Sequence, residues 1–198
     1  MNLPNKLTVF RILLVPIMVI IPLFNIQGNF LEIPISYWLI NIIFIIASIT
    51  DKLDGYIARK SQQITTFGKF LDPLADKILV LAAMLLLVEF NQLPAWIPII
   101  VITREFIVSG YRLVIVEQNG KVIAASVWGK IKTVTQMIAI ILAFLTTYKF
   151  GAFINEEITG INLVINILAT SVMFVSVIAT IFSGWDYIKD WKKVLKMK

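Results

Sequence analysis

Two residue types that support much of enzyme chemistry are absent from this sequence of 198 residues, which contains no cysteine and no histidine. Without cysteine there is no disulfide framework and no thiol nucleophile. Without histidine, the Ser-His-Asp and Cys-His mechanisms are excluded as well. Zinc and copper sites rely mainly on the same two side chains, so a metal site here would be built from oxygen ligands.

Charged residues are scarce too. They make up 15% of the chain, whereas 59% is hydrophobic, and typical soluble domains carry about 25% charged residues. This balance predicts an integral membrane protein. No linker, low-complexity run or internal repeat divides the chain, so we expect one transmembrane domain over residues 1–198. The net charge of +6 is typical of a membrane protein whose basic loops face anionic lipid. We predict no nucleic-acid partner.

The apolar residues form six segments, which predict an all-α bundle of six transmembrane helices. Segments of roughly 18–25 residues match a hydrocarbon core of about 30 Å. The first has the basic start and apolar middle of a signal peptide, but residues 25–30 offer no small-x-small cleavage pattern, so we interpret it as a retained span. The predicted spans are residues 7–24, 33–57, 68–90, 95–116, 132–148 and 160–185.

The distribution of basic residues predicts the orientation of this bundle. The three loops on one side, near residues 25–34, 89–95 and 148–159, contain only Lys149 of the 18 lysines and arginines. By the positive-inside rule, both termini lie on the cytoplasmic side of the cell membrane. Arg104 is deep enough within its segment to be ambiguous. A polar cavity is expected to face the cytoplasm.

Four carboxylates lie at the end of the second apolar segment and near the start of the third. Asp51 and Asp54 are spaced i, i+3, and Asp72 and Asp76 are spaced i, i+4, so each pair shares one face of its helix. A short turn would bring the two faces together. Clustered acids beside a bilayer are costly unless a cation compensates them, and hard oxygen ligands favour Mg²⁺ or Mn²⁺.

Each acid also has a simpler interpretation. Asp72 precedes Pro73 and would make a helix N-cap with proline at the first helical position. Asp51 would be solvated at a helix end. Capping does not explain four acids at these spacings, nor the glycines at 55 and 68, where a ligand can approach the backbone closely. Lys69 and Lys77 flank the acids, where they would balance charge.

The pattern Asp-x2-Asp-Gly-x2-Ala-Arg-x8-Gly-x3-Asp-x3-Asp spans residues 51–76 and resembles the signature of the CDP-alcohol phosphatidyltransferase family at every fixed position. The resemblance implies displacement of CMP from a CDP-linked lipid or alcohol by a second alcohol, in a homodimer. It implies two metal ions held by Asp51, Asp54, Asp72 and Asp76, with Asp76 also the general base. The same resemblance places Gly55, Ala58, Arg59 and Gly68 around the cytidine diphosphate.

Three flanking blocks, at residues 3–11, 104–112 and 124–133, extend the resemblance over the whole chain. They are similar to bacterial family members that transfer a phosphatidyl group from CDP-diacylglycerol to sn-glycerol 3-phosphate. A dianionic acceptor requires cations, and arginine binds phosphate bidentately. The candidates are Arg104, Arg112, Lys130 and Lys132.

These basic residues have alternatives. Lys130 and Lys132 would also suit a positive-inside flank. Arg104 and Arg112 are eight residues apart and share a helix face. Arg104 would instead pair with a membrane acid across helices, since we expect neighbouring Glu105 to point elsewhere.

Near the N-terminus, Asn5, Thr8 and Arg11 lie at the expected level of the acids and are candidates for binding the CDP-diacylglycerol head group. Thr8 would equally cap the first helix, and Arg11 would extend to the interface by snorkelling. Two other functions remain open: transfer to a different acceptor, such as phosphatidylglycerol or an inositol phosphate, and divalent-cation transport.

Overall fold

The computed structural model describes residues 3–61, 66–119 and 126–195. Within these ranges, the side chains of residues 3–4, 52, 54–61, 66–67, 69–70, 116–119 and 190–195 are outside the description. The described chain forms six α-helices: α1 (Leu3–Ile20), α2 (Ile35–Ser61), α3 (Thr66–Glu89), α4 (Trp96–Asn119), α5 (Val127–Ala143) and α6 (Gly160–Leu195).

Helix α1 is shorter at its end than the predicted span, which continued to residue 24. A 3₁₀ turn over Ile21–Phe24 replaces the last helical turn, and Asn25 follows it in the left-handed conformation with φ of 44°. Pro22 lies inside this turn and has no N–H to donate to an α-helical ladder. The backbone therefore leaves the helix before the apolar run ends.

A small β-ribbon that the sequence analysis did not predict follows α1. Strand β1 (Asn29–Phe30) pairs antiparallel with β2 (Ile33–Pro34), with Asn29 opposite Pro34. Leu31 and Glu32 between them have φ of 52° and 65°, the two positive values of a type I′ hairpin turn. The indole of Trp38 donates to the carbonyl of Phe30 at 3.1 Å, which connects the ribbon to α2.

Both simpler interpretations of the acids are wrong, because Asp51 and Asp72 lie inside helices. Helix α2 continues ten residues past Asp51, to Ser61. Helix α3 begins at Thr66, six residues before Asp72, and runs through Pro73. Asp72 is therefore not an N-cap. Because both acids lie within helices, the i, i+3 and i, i+4 spacings place each pair on one helix face.

Helix α5 begins and ends about five residues before the predicted span of 132–148. Ser126 is its N-cap, and the Ser126 hydroxyl accepts a hydrogen bond from the backbone N–H of Gly129 at 3.1 Å. This bond satisfies one of the N–H groups that every helix start leaves without an intrahelical partner. Lys130 and Lys132 consequently lie in the first two turns of α5.

One apolar core joins all six helices. Helix α1 packs on α2 and α3, α4 packs on α6, and the longest helix contact joins α5 to α6. Buried alanines on α5 and α6 allow these two backbones to approach closely. The core contains one large buried side chain from each helix: Met18, Phe44, Leu79, Ile97, Ile140 and Met173.

The outer surface of the bundle is apolar. Every helix exposes large hydrophobic side chains, such as Leu13, Ile42, Leu85, Ile99, Val134 and Ile161. Polar side chains are buried instead, among them Asn41, Gln136, Asn166, Ser176 and Thr180. In the described chain, Asn5–Phe24 and Gly160–Lys189 are long and apolar enough to cross a membrane. This distribution, together with the length of these helices, is that of a membrane protein.

The bundle has two chemically different ends. Residues 25–34, 90–95 and 144–159 form the loop end, where the backbone N–H of Phe150 donates to Gln92 at 2.9 Å and Asn162 donates to Glu32 at 3.0 Å. The motif acids and most described basic residues lie at the opposite end, called here the site end. The start of α1, the second half of α2 and the first half of α3 all meet there.

Candidate active site at one end of the bundle

Helix α1 contacts two of the motif acids. The Thr8 hydroxyl donates to Asp72 Oδ1 at 2.5 Å, and Arg11 Nη1 lies 2.8 Å from Asp51 Oδ1. Arg11 is completely buried, so it does not snorkel, and Thr8 lies more than a turn inside α1, so it does not cap the helix. These two contacts bring α2 and α3 together around α1.

Asp76 lies one helical turn beyond Asp72 on α3. Its Oδ1 atom is buried and accepts no hydrogen bond from any residue that the structure describes. A buried carboxylate oxygen of this kind is costly unless something pairs with it. Among the motif acids whose side chains the structure describes, Asp76 is therefore the one with a buried oxygen in need of a cation or a donor.

The remaining motif positions are only partly described. Helix α2 contains Asp54, Gly55, Ala58 and Arg59, whose side chains lie outside the described residues. Gly68 is buried near the start of α3. Asn5 is buried in the first turn of α1. No group of three metal-ligating side chains forms among the described residues, which leave out the Asp54 side chain.

The described donors fit a hard divalent cation. Asp51, Asp72 and Asp76 supply only carboxylate oxygens, which Mg²⁺ and Mn²⁺ prefer. The buried Oδ1 of Asp76 needs a partner that no described residue provides. The contacts of Arg11 and Thr8 hold the other two carboxylates in defined positions.

A cavity of about 420 Å³ opens beside Asp76, within the size range of small-molecule sites. Helices α3 and α4 form most of its wall, and side chains such as Leu81, Val101, Phe106 and Leu113 make it largely apolar. The polar lining residues are Asp76, Lys77, Glu105, Ser109 and Lys132. One cavity therefore combines a carboxylate of the motif, two cations and an apolar wall.

Glu105 is the centre of an ion-pair network beside this cavity. Its Oε1 atom lies 2.9 Å from Arg104 Nη1 and 2.8 Å from Lys132 Nζ. The prediction that Glu105 points away from Arg104 is wrong, because the Glu105 carboxylate pairs with Arg104 and with Lys132 of α5 through the same oxygen. The second terminal nitrogen of Arg104 donates to the hydroxyl of Ser183 on α6.

Arg112 and Lys130 occupy different surroundings. Arg112 Nη2 donates to the hydroxyl of Tyr187 at 2.8 Å, and the guanidinium lies 5.5 Å from the centre of that ring. Arg104 and Arg112 both contact α6, as their shared helix face predicts, but neither lines the cavity. Lys130 is exposed. Of the four predicted phosphate ligands, only Lys132 lines the cavity.

The sequence analysis did not predict three polar residues that line this cavity, namely Lys77, Glu105 and Ser109. Lys77, interpreted only as a balancing charge, lines the cavity and donates to the hydroxyl of Ser109 on α4. Glu105 joins two predicted cations. The i, i+4 spacing of Glu105 and Ser109 on α4 could have indicated a shared polar face, but nothing in the sequence shows that this face meets Lys77.

Comparison with known proteins decides the family. Residues 1–182 match the family model described as CDP-alcohol phosphatidyltransferase. The chain belongs to this family. This CDP-alcohol phosphatidyltransferase is therefore an enzyme, and the family assignment favours group transfer over the cation-transport alternative.

Relatives of this CDP-alcohol phosphatidyltransferase align along nearly its whole length. The CDP-diacylglycerol–glycerol-3-phosphate 3-phosphatidyltransferase of Bacillus subtilis is 46% identical, with 96% of each chain covered. The protein of the same name from Haemophilus influenzae is 40% identical, with 95% of this chain and 92% of the relative covered. A probable phosphatidylglycerophosphate synthase of Mycobacterium tuberculosis is 34% identical, with 94% of this chain and 80% of the relative covered.

Proposed function

We propose that the protein is a phosphatidylglycerophosphate synthase, which transfers the phosphatidyl group of CDP-diacylglycerol to sn-glycerol 3-phosphate and releases CMP. The observation that carries the proposal is 46% identity, over 96% of both chains, to a relative named for this reaction. The site supports it, because the motif acid Asp76 lines the same cavity as Lys77 and Lys132, two cations suited to a phosphate.

The proposed reaction is a substitution at phosphorus. The acceptor hydroxyl oxygen forms a bond to the phosphorus of the phosphatidyl group, and the bond from that phosphorus to the CMP oxygen breaks. CMP leaves with the electron pair, and the hydroxyl proton goes to Asp76. A carboxylate can act as general base when it lies within hydrogen-bond reach of the hydroxyl, so the missing histidine is not needed.

Divalent metal ions are general in this family. In the proposal, Asp51, Asp54, Asp72 and Asp76 hold two Mg²⁺ or Mn²⁺ ions. Bound metal would neutralise the diphosphate and the charge that develops on departing CMP. The chain's own contribution is positioning, because Thr8 and Arg11 fix the carboxylates of Asp72 and Asp51.

The donor lipid is proposed to approach with its head group at the site end. Its polar contacts are proposed for the described residues Asn5, Thr8, Arg11 and Gly68, and for the α2 residues Gly55, Ala58 and Arg59. The apolar wall formed by α3 and α4 matches the lipid part of an amphiphilic substrate. Lys132 is proposed to bind the acceptor phosphate directly, while Arg104 holds Lys132 in place through Glu105.

The test is CMP release by purified protein from CDP-diacylglycerol, with and without sn-glycerol 3-phosphate, in Mg²⁺ or Mn²⁺ and then with chelator. We expect release that needs both acceptor and metal. Release only with another acceptor, such as an inositol phosphate, would show that sn-glycerol 3-phosphate is not the acceptor, while the reaction of the family would stand. No release with any acceptor, from folded protein, would refute the proposal.

Asp76→Asn tests the proposed base. Loss of the proton acceptor should lower CMP release by about a hundredfold to ten-thousandfold, while the bundle remains folded because the amide has the same shape. Glu89→Gln is the matched control, since Glu89 is an exposed carboxylate near the loop end. Near-normal turnover by Asp76→Asn would remove Asp76 from the mechanism.

A further inference from the structure

The arginines predicted to bind the acceptor phosphate are engaged with protein groups. Arg104 uses one terminal nitrogen on Glu105 and the other on Ser183. Arg112 donates to Tyr187 and lies against its ring. Both side chains are outside the cavity lining. A phosphate in the cavity therefore needs other cations, which the structure supplies from α3 and α5.

Lys77 and Lys132 are these cations. Lys77 belongs to α3 and Lys132 to α5, and both side chains line the cavity beside Asp76. Within the described residues, Lys77 donates to Ser109 and Lys132 donates to Glu105. Each ammonium has three N–H donors, so each can add phosphate oxygens while keeping its present bond. The Ser109 hydroxyl can also donate to an oxygen when it accepts from Lys77.

The charges of the lining side chains favour a second lysine at this cavity. Its ionisable lining residues are Asp76, Glu105, Lys77 and Lys132, whose formal charges sum to zero. With a neutral residue in place of Lys77, the sum of these side-chain charges becomes negative, which disfavours a dianionic phosphate at short range. Lysine binds phosphate as a mobile point charge, which suits a substrate that must also leave.

We propose that Lys77 is a substrate-binding residue of this enzyme, which holds the phosphate of the acceptor together with Lys132. Lys77 and Asp76 line the same cavity, so a phosphate held by Lys77 keeps the three-carbon acceptor near the proposed base. Lys77 thereby selects phosphorylated acceptors over neutral alcohols. This inference rests on the proposed function, because it assumes that sn-glycerol 3-phosphate is the acceptor.

The experiment is a kinetic comparison of wild type, Lys77→Met and Lys77→Arg. We expect Lys77→Met to raise KM for sn-glycerol 3-phosphate by about ten- to a hundredfold, the range of a hydrogen bond to a charged group. KM for CDP-diacylglycerol should stay within about twofold. Lys77→Arg, which keeps the charge, should recover most of the loss. With glycerol as a neutral acceptor, the rate of CMP release by Lys77→Met should equal that of wild type.

Lys149→Met is the matched control, because Lys149 is exposed at the loop end and its KM values should equal those of wild type. An unchanged KM for glycerol 3-phosphate in Lys77→Met, or a fall in kcat alone, would overturn the role of Lys77. An unchanged KM for CDP-diacylglycerol shows that the variant is folded. If wild type does not use glycerol 3-phosphate, the proposed function fails; if only the variant result fails, that function stands.

Discussion

At the scale of single residues, Glu105 determines whether two cations can remain inside the bundle. The side chains of Arg104 and Lys132 are only 11% and 9% exposed, and both meet the same Glu105 oxygen. Removing two cations from water costs more free energy than attraction to one anion restores, unless the ion pairs have short, well-aligned contacts. The network is therefore a place where one substitution changes the structure of the site.

Glu105→Ala should lower the free energy of unfolding by about 3 kcal/mol, because it leaves two buried cations without their shared anion. The loss is at the low end for a broken buried ion pair, because the cavity gives the two cations partial access to solvent. Reversible unfolding in mixed detergent micelles measures the change. Glu156→Ala, at an exposed loop-end position, is the control. Equal stability of Glu105→Ala and wild type would show that the ion pairs contribute nothing.

At the scale of secondary structure, the start of α5 positions the functional residues of that helix. Ser126 caps the helix and also lies 3.4 Å from the Ser183 hydroxyl of α6. Gly129 is close to Arg104, since a Cβ placed there would lie 3.4 Å from an Arg104 nitrogen. The cap and the close approach together fix where Lys132 enters the cavity.

Ser126→Ala should lower the free energy of unfolding by about 1 kcal/mol, the usual cost of a lost N-cap. Ser126→Asp should restore most of it, because aspartate also accepts from the first N–H groups. The same detergent unfolding assay gives the values. Ser171→Ala, on an exposed part of α6, supplies the comparison, and a loss no larger than in that variant would mean that the cap is not needed.

At the scale of the whole molecule, the two ends of the bundle carry different charges. Lys149 is the one lysine or arginine in the three loop-end segments, residues 25–34, 90–95 and 144–159. The positive-inside rule then places the site end in the cytoplasm if the six helices cross the membrane. Exposed apolar side chains on every helix support that arrangement. The homodimer implied by the family resemblance stays a prediction.

The absence of cysteine makes this topology directly testable. Glu156→Cys at the loop end should react with a membrane-impermeant maleimide on intact cells, whereas Lys6→Cys at the site end should react only after permeabilisation. Wild type supplies the blank, since it has no thiol. Labelling of Lys6→Cys in intact cells would invert the orientation or refute the span count.

The residue pattern determined several features without tertiary information. The i, i+3 and i, i+4 spacings place the acids on helix faces, and the shared face of Arg104 and Arg112 follows from their separation of eight residues. Two helix ends differ from the predicted apolar segments. Helix α1 ends before its apolar segment does, because Pro22 cannot donate a backbone hydrogen bond. Helix α5 begins earlier than predicted, because Ser126 caps it. The interpretation of Asp72 as a cap failed, because α3 begins at Thr66 and continues through Pro73, which lies inside the helix.

The sequence by itself determined that this chain forms apolar helices with an oxygen-rich acidic motif and belongs with CDP-alcohol phosphatidyltransferases, because helical periodicity and fixed motif spacings are local properties. Only the tertiary structure decided that Thr8 and Arg11 hold Asp72 and Asp51. It also decided that Lys77, rather than Arg104 or Arg112, lines the cavity with Lys132. The direction in which a long cationic side chain points depends on packing between helices distant in sequence, and no local pattern specifies that packing.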